Sequence, residues 1–464
     1  MKTRIGALGA FTTAALLLAG CSGGTTSADA GGGGGEDVAA GINAVTGEQL
    51  DGTNIQFAHF FGNCEDEVGD NVDLANAVGE CATLTTLMNQ FNAENEFGIT
   101  VERLGGAAWD SFYDQLNTAI AGGTPPDVTV MHGQTLPDYA QRNLLLPLDD
   151  VTETANIELD DALPVEQEAV QSEGTTYAVP FDYHAALAHV NVDIFAEAGL
   201  VDADGNPQLP TTEEEFLAAA ATVKEATGKE FIAIPRVGDN LGWHFVNSMV
   251  MQQGSSILSE DLSAGNLDSP EVRTGIEFVN ALVEGGYTDG NQTYDSANQS
   301  FINGEVAMMY NGTWVVNTLV ETAPFDYQAH TFPNLYGEPN GWANQHTWAI
   351  PLQQDQDPVK YRAALEFISF LYDNNAAWAL GTGHIAARTS VLESPEYQDA
   401  PQRSNYASTA ADATETLPHI QNWPAVETVS VQAVESIWFQ DTEIADALAN
   451  GNSQITSTLE GQNS

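Results

Sequence analysis

Basic residues are scarce in this chain of 464 residues. Only 12 lysines and arginines stand against 65 aspartates and glutamates, which gives a formal net charge of −53 at pH 7. A surface of this sign repels phosphate backbones, so the charge excludes nucleic acid as a partner. The acidic residues are spread along the chain, which favours a solvated surface suited to high salt over a specific calcium or other cation site.

Long apolar runs are also missing. Beyond the N-terminal segment, no stretch reaches the roughly 18 uninterrupted apolar residues that a membrane helix needs. We therefore expect a soluble body that begins at about residue 52. Its length of about 410 residues exceeds one ordinary hydrophobic core, which predicts two lobes.

The N-terminus carries one of only three cysteines. The sequence LAGC ends at Cys21 and follows a short apolar run behind Lys2 and Arg4. This order is typical of a bacterial lipoprotein signal, in which cleavage precedes the cysteine; a plain signal peptide cut elsewhere is the alternative. Lipid chains on Cys21 would anchor the protein stably. We therefore expect residues 1–20 to be removed and the protein to work on the outer face of the cytoplasmic membrane.

A low-complexity segment follows this cysteine. Residues 22–36 consist of glycine, serine, threonine and alanine apart from two acidic residues, and they include a run of five glycines. Such a composition buries no apolar surface and behaves as flexible coil. We expect residues 21–52 to form a tether between the anchor and the body.

The remaining two cysteines, Cys64 and Cys81, favour a structural disulfide in a secreted chain. Sixteen residues separate them, a spacing that matches no zinc pattern, and no histidine stands beside either one. We expect no metal and no cofactor.

Strand and helix patterns alternate along the body. A strand over residues 54–59 precedes a helix over 84–95, a strand over 99–104, a helix that Asp110 caps and a strand over 127–131. This order predicts a parallel, doubly wound sheet whose ligand crevice lies beyond the carboxyl ends of the strands. The alternation continues with a strand over 177–180, a helix over 212–226, a strand over 232–235, a helix over 271–284 and a strand over 306–310. Residues 413–460 are predicted to be helical, with stretches over 423–439 and 442–448.

Several segments in this order resemble one protein family. They are YDQLNTAIAGGTPPDVTVM at 113–131, LLPLDD at 145–150, YAVPFDYHAALAHVNVDIFAEAGL at 177–200, FINGEVAMMYNGTW at 301–314 and AALEFISFL at 363–371. Behind a lipoprotein signal, the set is similar to the extracellular solute-binding proteins of sugar ABC importers, the maltose-binding-protein-like family.

The resemblance implies an α/β fold of type II, in which two doubly wound lobes are joined by a hinge of about three crossings. The N-lobe would comprise residues 53–184 and 347–396, and the C-lobe residues 185–346 and 397–464. Such a protein captures a sugar or oligosaccharide between its lobes and delivers it to a permease with its ATPase. We expect a monomer that is held at the membrane by its lipid.

A sugar-binding site needs flat aromatic rings for the C–H faces of the sugar and polar side chains for its hydroxyls. Aromatic and polar side chains of these kinds lie at predicted strand ends and at the predicted crossings between the lobes. The candidates are His59, Phe60, Trp109, His132 and Gln134 in the N-lobe, Asp182, Tyr183 and His184 at the first crossing, Trp243, His244, Asn311, Trp314 and Trp423 in the C-lobe, and Trp342 and Arg388.

The family resemblance supports a binding role for some of these residues. The resemblance places a stacking aromatic at Trp314, a polar sugar-binding side chain at His184 and a late closing aromatic at Trp423. The segment GWANQHTW departs from the glycine-richer crossing of relatives, which makes Trp342 and His346 candidate extra contacts.

Alternatives stay open for other residues. Arg388 either binds the solute or braces its lobe, and tryptophans such as Trp243 and Trp423 are core residues or ligand platforms. Strand alternation predicts that one of Phe60 and Phe61 points outward and the other inward.

Two rival functions are weighed against sugar transport. A secreted hydrolase would use paired carboxylates, but the body has no G-x-S-x-G elbow, no H-E-x-x-H and no P-loop. The same scaffold with another cargo, such as a glycerol phosphodiester, polyamine or peptide, is the second rival. The scarcity of basic residues disfavours a phosphorylated ligand.

Overall fold

The computed structural model describes residues 34–105, 108–408 and 417–461. The predicted signal and Cys21 lie outside these ranges. Among the helices within them, none combines the length and apolar character that crossing a bilayer requires. The strands are β1 Asn54–Ala58, β2 Thr100–Arg103, β3 Val128–His132, β4 Gln171–Ser172, β5 Thr175–Thr176, β6 Ala178–Asn191, β7 Glu230–Ala233, β8 Val306–Gly312, β9 Tyr327–Thr331, β10 Ala343–Ala349 and β11 Ile385–Ala386.

The helices surround this sheet on its faces and at its ends. They are α1 Gly34–Asn43, α2 Gly47–Leu50, α3 Glu65–Val68, α4 Glu80–Glu94, α5 Trp109–Ala121, α6 Leu136–Gln141, α7 Pro164–Ala169, α8 Val192–Glu197, α9 Glu213–Thr227, α10 Leu241–Gln252, α11 Pro270–Glu284, α12 Tyr294–Ile302, α13 Val316–Thr322, α14 Pro358–Asp373, α15 Asn375–Thr382, α16 Thr389–Leu392, α17 Pro395–Gln398, α18 Arg403–Tyr406, α19 Trp423–Gln440 and α20 Ile444–Glu460.

The main sheet has the strand order β2-β1-β3-β10-β6-β8-β7, and β9 and β11 also pair with β6. The strands β2, β1 and β3 run parallel, as do β7 and β8. Strand β10 is antiparallel to both of its neighbours. The parallel parts are those that the strand–helix alternation predicts, and the antiparallel pairs made by β10 and by β6 with β8, β9 and β11 make the sheet mixed.

One long strand joins the two halves of the sheet. Strand β6 has 14 residues, and every one of them is buried. Its first half pairs with β10 and β11, and its second half pairs with β8 and β9. The prediction of a strand that ends at Pro180 was wrong. The register shifts between β6 and β10 at this point, and such an irregularity accommodates a proline inside a sheet.

Two separate cores lie on either side of the crossing. The chain contributes to the first core up to Phe181, to the second from Ala186 to Trp342, to the first again from Trp348 to Trp378, and to the second from Leu417 onward. It therefore passes between the cores three times, which confirms the expected two-lobed α/β fold. The exact lobe limits stay a prediction.

The packed body begins earlier than the sequence analysis predicted. Helices α1 and α2 precede residue 52, and Ile42 and Leu50 are fully buried in the first core. Val38 and Ile42 are four residues apart on one face of α1, which packs against α14, and Val45 follows the helix into the same core. The tether prediction for residues 21–52 is therefore wrong over residues 38–50.

One helix start differs from its prediction. Helix α5 follows Ala108, so Asp110 is its second residue rather than its cap. The last helix ends at Glu460, the limit of the predicted helical region, and Ile455 and Leu459 recur four residues apart and are buried in it.

The disulfide between Cys64 and Cys81 is confirmed. It joins the turn before α3 to the first turn of α4, and it closes a loop with a sequence separation of 17 residues. The bond therefore fixes the loop that follows β1 against the first core.

Replacing both cysteines with serine should lower the free energy of unfolding by about 3 kcal/mol, because the loop then opens in the unfolded chain. Urea denaturation of the oxidised native protein and the double variant measures this loss. Reducing agent should destabilise the native protein equally and leave the variant unchanged. An equal midpoint for the oxidised protein and the variant would contradict the prediction.

Candidate functional site

Histidines converge where the chain crosses between the two cores. His132 ends β3, His184 lies on β6 and His346 lies on β10. Antiparallel pairing sets His346 opposite His132 on one side and opposite Asp182 on the other. Cross-strand partners have neighbouring side chains, so the register itself assembles the group. We call His132, His184, His346 and His384, with Asp182 among them, the imidazole cluster.

Asp182 is the centre of this cluster. Its Oδ1 lies 3.1 Å from Nδ1 of His184 and 2.9 Å from Nδ1 of His346, and its Oδ2 accepts a hydrogen bond of 2.7 Å from Nε1 of Trp378. Burial opposes ionisation, but His346, His384 and these hydrogen bonds hold the pKa of the carboxyl well below its usual value. Asp182 is therefore a buried carboxylate that organises the polar side chains around it.

The histidines of the cluster differ in how readily they bind a proton. Burial and the neighbouring His346 lower the pKa of His132 well below the usual value, and the same causes lower the pKa of His184 to about 3. For His384, burial lowers the pKa, but Asp182 and Glu80 outweigh it and raise the pKa above its usual value. Its Nε2 lies 2.9 Å from Oε1 of Glu80. His132 and His184 are thus neutral at pH 7, whereas protonation of His384 is stabilised.

Aromatic rings from the first core line one side of the cluster. The ring of Phe60 stacks on that of His132 at a centroid distance of 5.0 Å, and Trp109 meets the same histidine edge-on at 6.5 Å. The hydroxyl of Tyr113 lies 2.7 Å from Nδ1 of His132. Trp109 is 46% exposed, so this wall ends at solvent.

Rings from the second core line the opposite side. Trp314 and Trp342 stand at 87° to one another, and both contact His184. His244 stacks on Trp342 at 4.1 Å, and its Nε2 lies 2.8 Å from Oε1 of Glu427. The imidazole cluster therefore lies between two aromatic walls that belong to different cores.

A glycine determines the position of Trp314. A Cβ on Gly312 would lie 2.0 Å from Cζ3 of Trp314, so only glycine lets the indole lie across the end of β8. The indole Nε1 donates a hydrogen bond of 2.9 Å to the hydroxyl of Tyr294. The ring is thus fixed at its base and at its polar edge.

The structure brings most of the predicted site residues together. Phe60, Trp109, His132, Asp182, His184, His244, Trp314 and Trp342 are linked by the contacts above. Trp243 and Trp423 are buried in the second core, at 2% and 1% exposure. Tyr183 is buried in a separate apolar cluster, together with Ala185 and Met309.

Three further predicted residues are buried at the edges of the site. His59 packs on Phe61 beside the first core, and the Nδ2 of Asn311 donates to Asn298. Gln134 is buried, and its Oε1 has no partner among the described residues. The predicted split of Phe60 and Phe61 was wrong, since both are buried, because β1 ends at Ala58 and its alternation does not extend to them.

The contacts of Arg388 favour the bracing alternative. Its Nε donates to Oδ2 of Asp161 at 2.8 Å, and its guanidinium lies 4.8 Å from the centroid of the Tyr372 ring. These partners hold the segment after β11 to the first core's helices.

Tyr113, Glu80 and Glu427 were not predicted from the sequence, and neither was the hydrogen bond from Trp378 to Asp182. Only Tyr113 had a usable signal. It follows Trp109 by four residues in a predicted helix, so both face the same side. The other partners come from distant segments, and no local pattern indicates them.

Comparison with known proteins agrees with this architecture. Residues 86–405 match the family model described as bacterial extracellular solute-binding protein. The chain is 24% identical over 334 residues to the diacetylchitobiose binding protein DasA of Streptomyces coelicolor, which covers 69% of this chain and 73% of that protein. It is 22% identical over 420 residues to the sn-glycerol-3-phosphate-binding periplasmic protein UgpB of Escherichia coli, at coverages of 85% and 90%.

A solved structure shares the fold. The GacH receptor of Streptomyces glaucescens, determined unliganded and in complex with acarbose, superposes with a TM-score of 0.74. The match covers 88% of this chain and 98% of the receptor at 19% sequence identity. The similarity confirms the two-lobed architecture.

A buried acid lies behind Asp182. Glu166 on α7 is fully buried, and neither carboxyl oxygen has a hydrogen-bond partner within the described residues. Burial, and then the negative charge of Asp182, raise its pKa well above the usual value. The hydroxyls of Tyr183 and Tyr372, which lie in its electrostatic surroundings, are also without partners among the described residues. Glu166 is therefore held as a neutral acid.

The Glu166→Gln variant should be more stable than the native protein at pH 7, and this gain should vanish below about pH 4.5, the ordinary pKa of glutamate. The native state keeps the proton that the unfolded chain releases, so native stability falls as pH rises above that value, by up to about 1.4 kcal/mol per pH unit. The amide of the Glu166→Gln variant cannot ionise, so the stability of this variant does not fall in this way.

Urea denaturation between pH 4 and pH 8 measures the difference. Glu168→Gln, an exposed position on the same helix, is the matched control and should show no such pH dependence. A constant difference between Glu166→Gln and the native protein across this range would contradict the assignment.

Proposed function

This chain belongs to the bacterial extracellular solute-binding protein family, and on that premise we propose that it captures a sugar or oligosaccharide for an ABC importer. The observation that supports a sugar is the pair of aromatic walls on either side of the imidazole cluster. Indole faces suit the C–H faces of a sugar ring, and neutral imidazoles can donate to or accept from its hydroxyls. The relatives named for diacetylchitobiose and acarbose agree with this chemistry.

Capture in this proposal is a shift in population between open and closed forms. A solute that touches rings of both walls stabilises the closed form across the crossing strands. The N-lobe comprises residues 38–184 and 347–396, which include the residues 38–50 that pack in the first core, and the C-lobe comprises residues 185–346 and 397–464. The permease recognises the closed form, its ATPase drives transport, and the solute leaves chemically unchanged.

The protein acts outside the cell membrane in this proposal, as a lipid-anchored monomer. Cleavage before Cys21 and lipidation of its thiol would hold the chain at the outer face. The extracellular family supports the compartment, and the sequence LAGC supports the anchor.

A phosphorylated or glycerol phosphodiester solute is the second candidate, because of the similarity to UgpB. A phosphate calls for arginine, lysine or clustered backbone N–H groups. The imidazole cluster and the two aromatic walls described above contain no arginine or lysine. The charge of −53 further disfavours an anion. These observations favour the uncharged sugar.

A thermal-shift screen of mono- to tetrasaccharides should find a sugar that raises the melting temperature by mass action. Titration calorimetry then measures the affinity of the protein for that sugar. Trp314→Ala should weaken its binding by about 1–3 kcal/mol, because a stacking face is lost. Trp438→Ala is the control, since that indole packs on Arg236 instead.

Equal affinity of Trp314→Ala and the native protein would remove Trp314 from the site. A glycerophosphodiester that binds where no sugar does would replace the proposed cargo. Turnover of any sugar would replace transport with hydrolysis.

Cys21→Ala should release the protein from the membrane, because the lipidated thiol is lost. The measurement is fractionation of cells of a bacterial host that processes lipoproteins, with Cys64→Ser/Cys81→Ser as the control that retains the anchor. Membrane retention of Cys21→Ala would contradict a lipid anchor at this position.

A further inference from the structure

Three histidines of the imidazole cluster bring together more ring nitrogens than a sugar site requires. One ring nitrogen from each of His132, His184 and His346 lies within 4.8 Å of those of the other two. All three side chains are buried. We propose that these histidines bind a divalent transition-metal ion, with Zn²⁺ as the representative ion. This site does not depend on the identity of the sugar.

The hydrogen bonds of the three rings favour coordination through Nε2. The Nδ1 atoms of His184 and His346 are held by Asp182. The Nδ1 of His132 is held by the hydroxyl of Tyr113. Across the described ranges, no hydrogen bond is made by any of the three Nε2 atoms. A metal-binding histidine typically has this arrangement, in which an oxygen outside the metal shell orients the ring through its other nitrogen.

The donor set selects the class of metal. Imidazole nitrogens suit Zn²⁺, Cu²⁺ and Ni²⁺, whereas Ca²⁺ and Mg²⁺ require oxygen ligands. Three histidines leave the fourth position of a tetrahedral site for water or a hydroxyl of the solute. The nearby carboxylate of Asp182 and the overall charge of −53 favour a cation.

Binding requires one ring to turn. The rings of His184 and His346 are stacked at 3.9 Å with 20° between their planes. A metal lies near the plane of each imidazole that binds it, so two parallel rings cannot share one ion. His346 can turn most easily, because its Nδ1 is 2.9 Å from Oδ1 and 3.0 Å from Oδ2 of Asp182. One of the two carboxylate oxygens of Asp182 can therefore still accept a hydrogen bond from Nδ1 of His346 while the ring rotates.

Titration calorimetry of the untagged, EDTA-treated full chain with Zn²⁺ at pH 7.5 tests the site. We expect one Zn²⁺ per chain, no binding of Mg²⁺ or Ca²⁺, and Co²⁺ spectra with the visible bands of a tetrahedral site. His132→Ala and His184→Ala should each abolish stoichiometric binding. His330→Ala, a partly buried histidine on β9 that contacts Gln328, should leave binding unchanged.

Tyr113→Phe provides a variant that keeps the packing of the ring. It removes only the hydroxyl that holds His132, and it should weaken Zn²⁺ binding by about 10–100-fold. Thermal melts of each variant without metal identify any that fails to fold, in which case Tyr113→Phe decides the matter.

No Zn²⁺ binding by the native chain, or binding that His132→Ala, His184→Ala and Tyr113→Phe leave unchanged, would overturn the proposal. The sugar screen on the metal-free protein separates the two hypotheses. A sugar that binds without any Zn²⁺ site removes the metal proposal alone, and Zn²⁺ binding without any sugar removes the proposed cargo alone.

Discussion

The buried carboxylate of Asp182 is the interaction on which the site depends. A charge without water costs several kcal/mol unless it is paired and hydrogen-bonded. Here two imidazoles and an indole supply those bonds, and they come from β6, β10 and α15. Asp182 therefore ties the strand that joins the cores to the strand beside it and to a helix of the first core. The positions of the surrounding rings follow from this arrangement.

Contacts at the ends of the strands hold the aromatic rings around this carboxylate. Gly312 lets Trp314 lie across the end of β8, and stacking on His244 holds Trp342. On the other side, Phe60 and Tyr113 hold His132. Each half of the protein thus presents a prepared wall, and His184 and His346 lie between the walls on β6 and β10, the strands at the crossing. Family membership and site geometry are consistent with each other on this point.

The sequence predicted what depends on local patterns. Strands β1, β2 and β3 lie within a residue or two of their predicted limits because apolar alternation and turn residues mark them. Strand β6 was missed as a continuous element because its proline suggested an end. The polar partners of Asp182 were beyond prediction, since His346 and Trp378 lie 164 and 196 residues away in sequence. The sequence suggested residue types for a candidate site, but it could not indicate which of these side chains contact one another.

The continuity of β6 has a mechanical consequence. Its backbone is hydrogen-bonded to neighbours on both sides of the crossing, so the lobes can separate only through a gradual bend of the paired strands rather than at a loose joint. Side chains at the crossing, such as Asp182 and His184, then shift less than side chains that lie farther out along either half. In the proposed capture, a solute would therefore meet Asp182 and His184 in nearly the same positions in the open and the closed form.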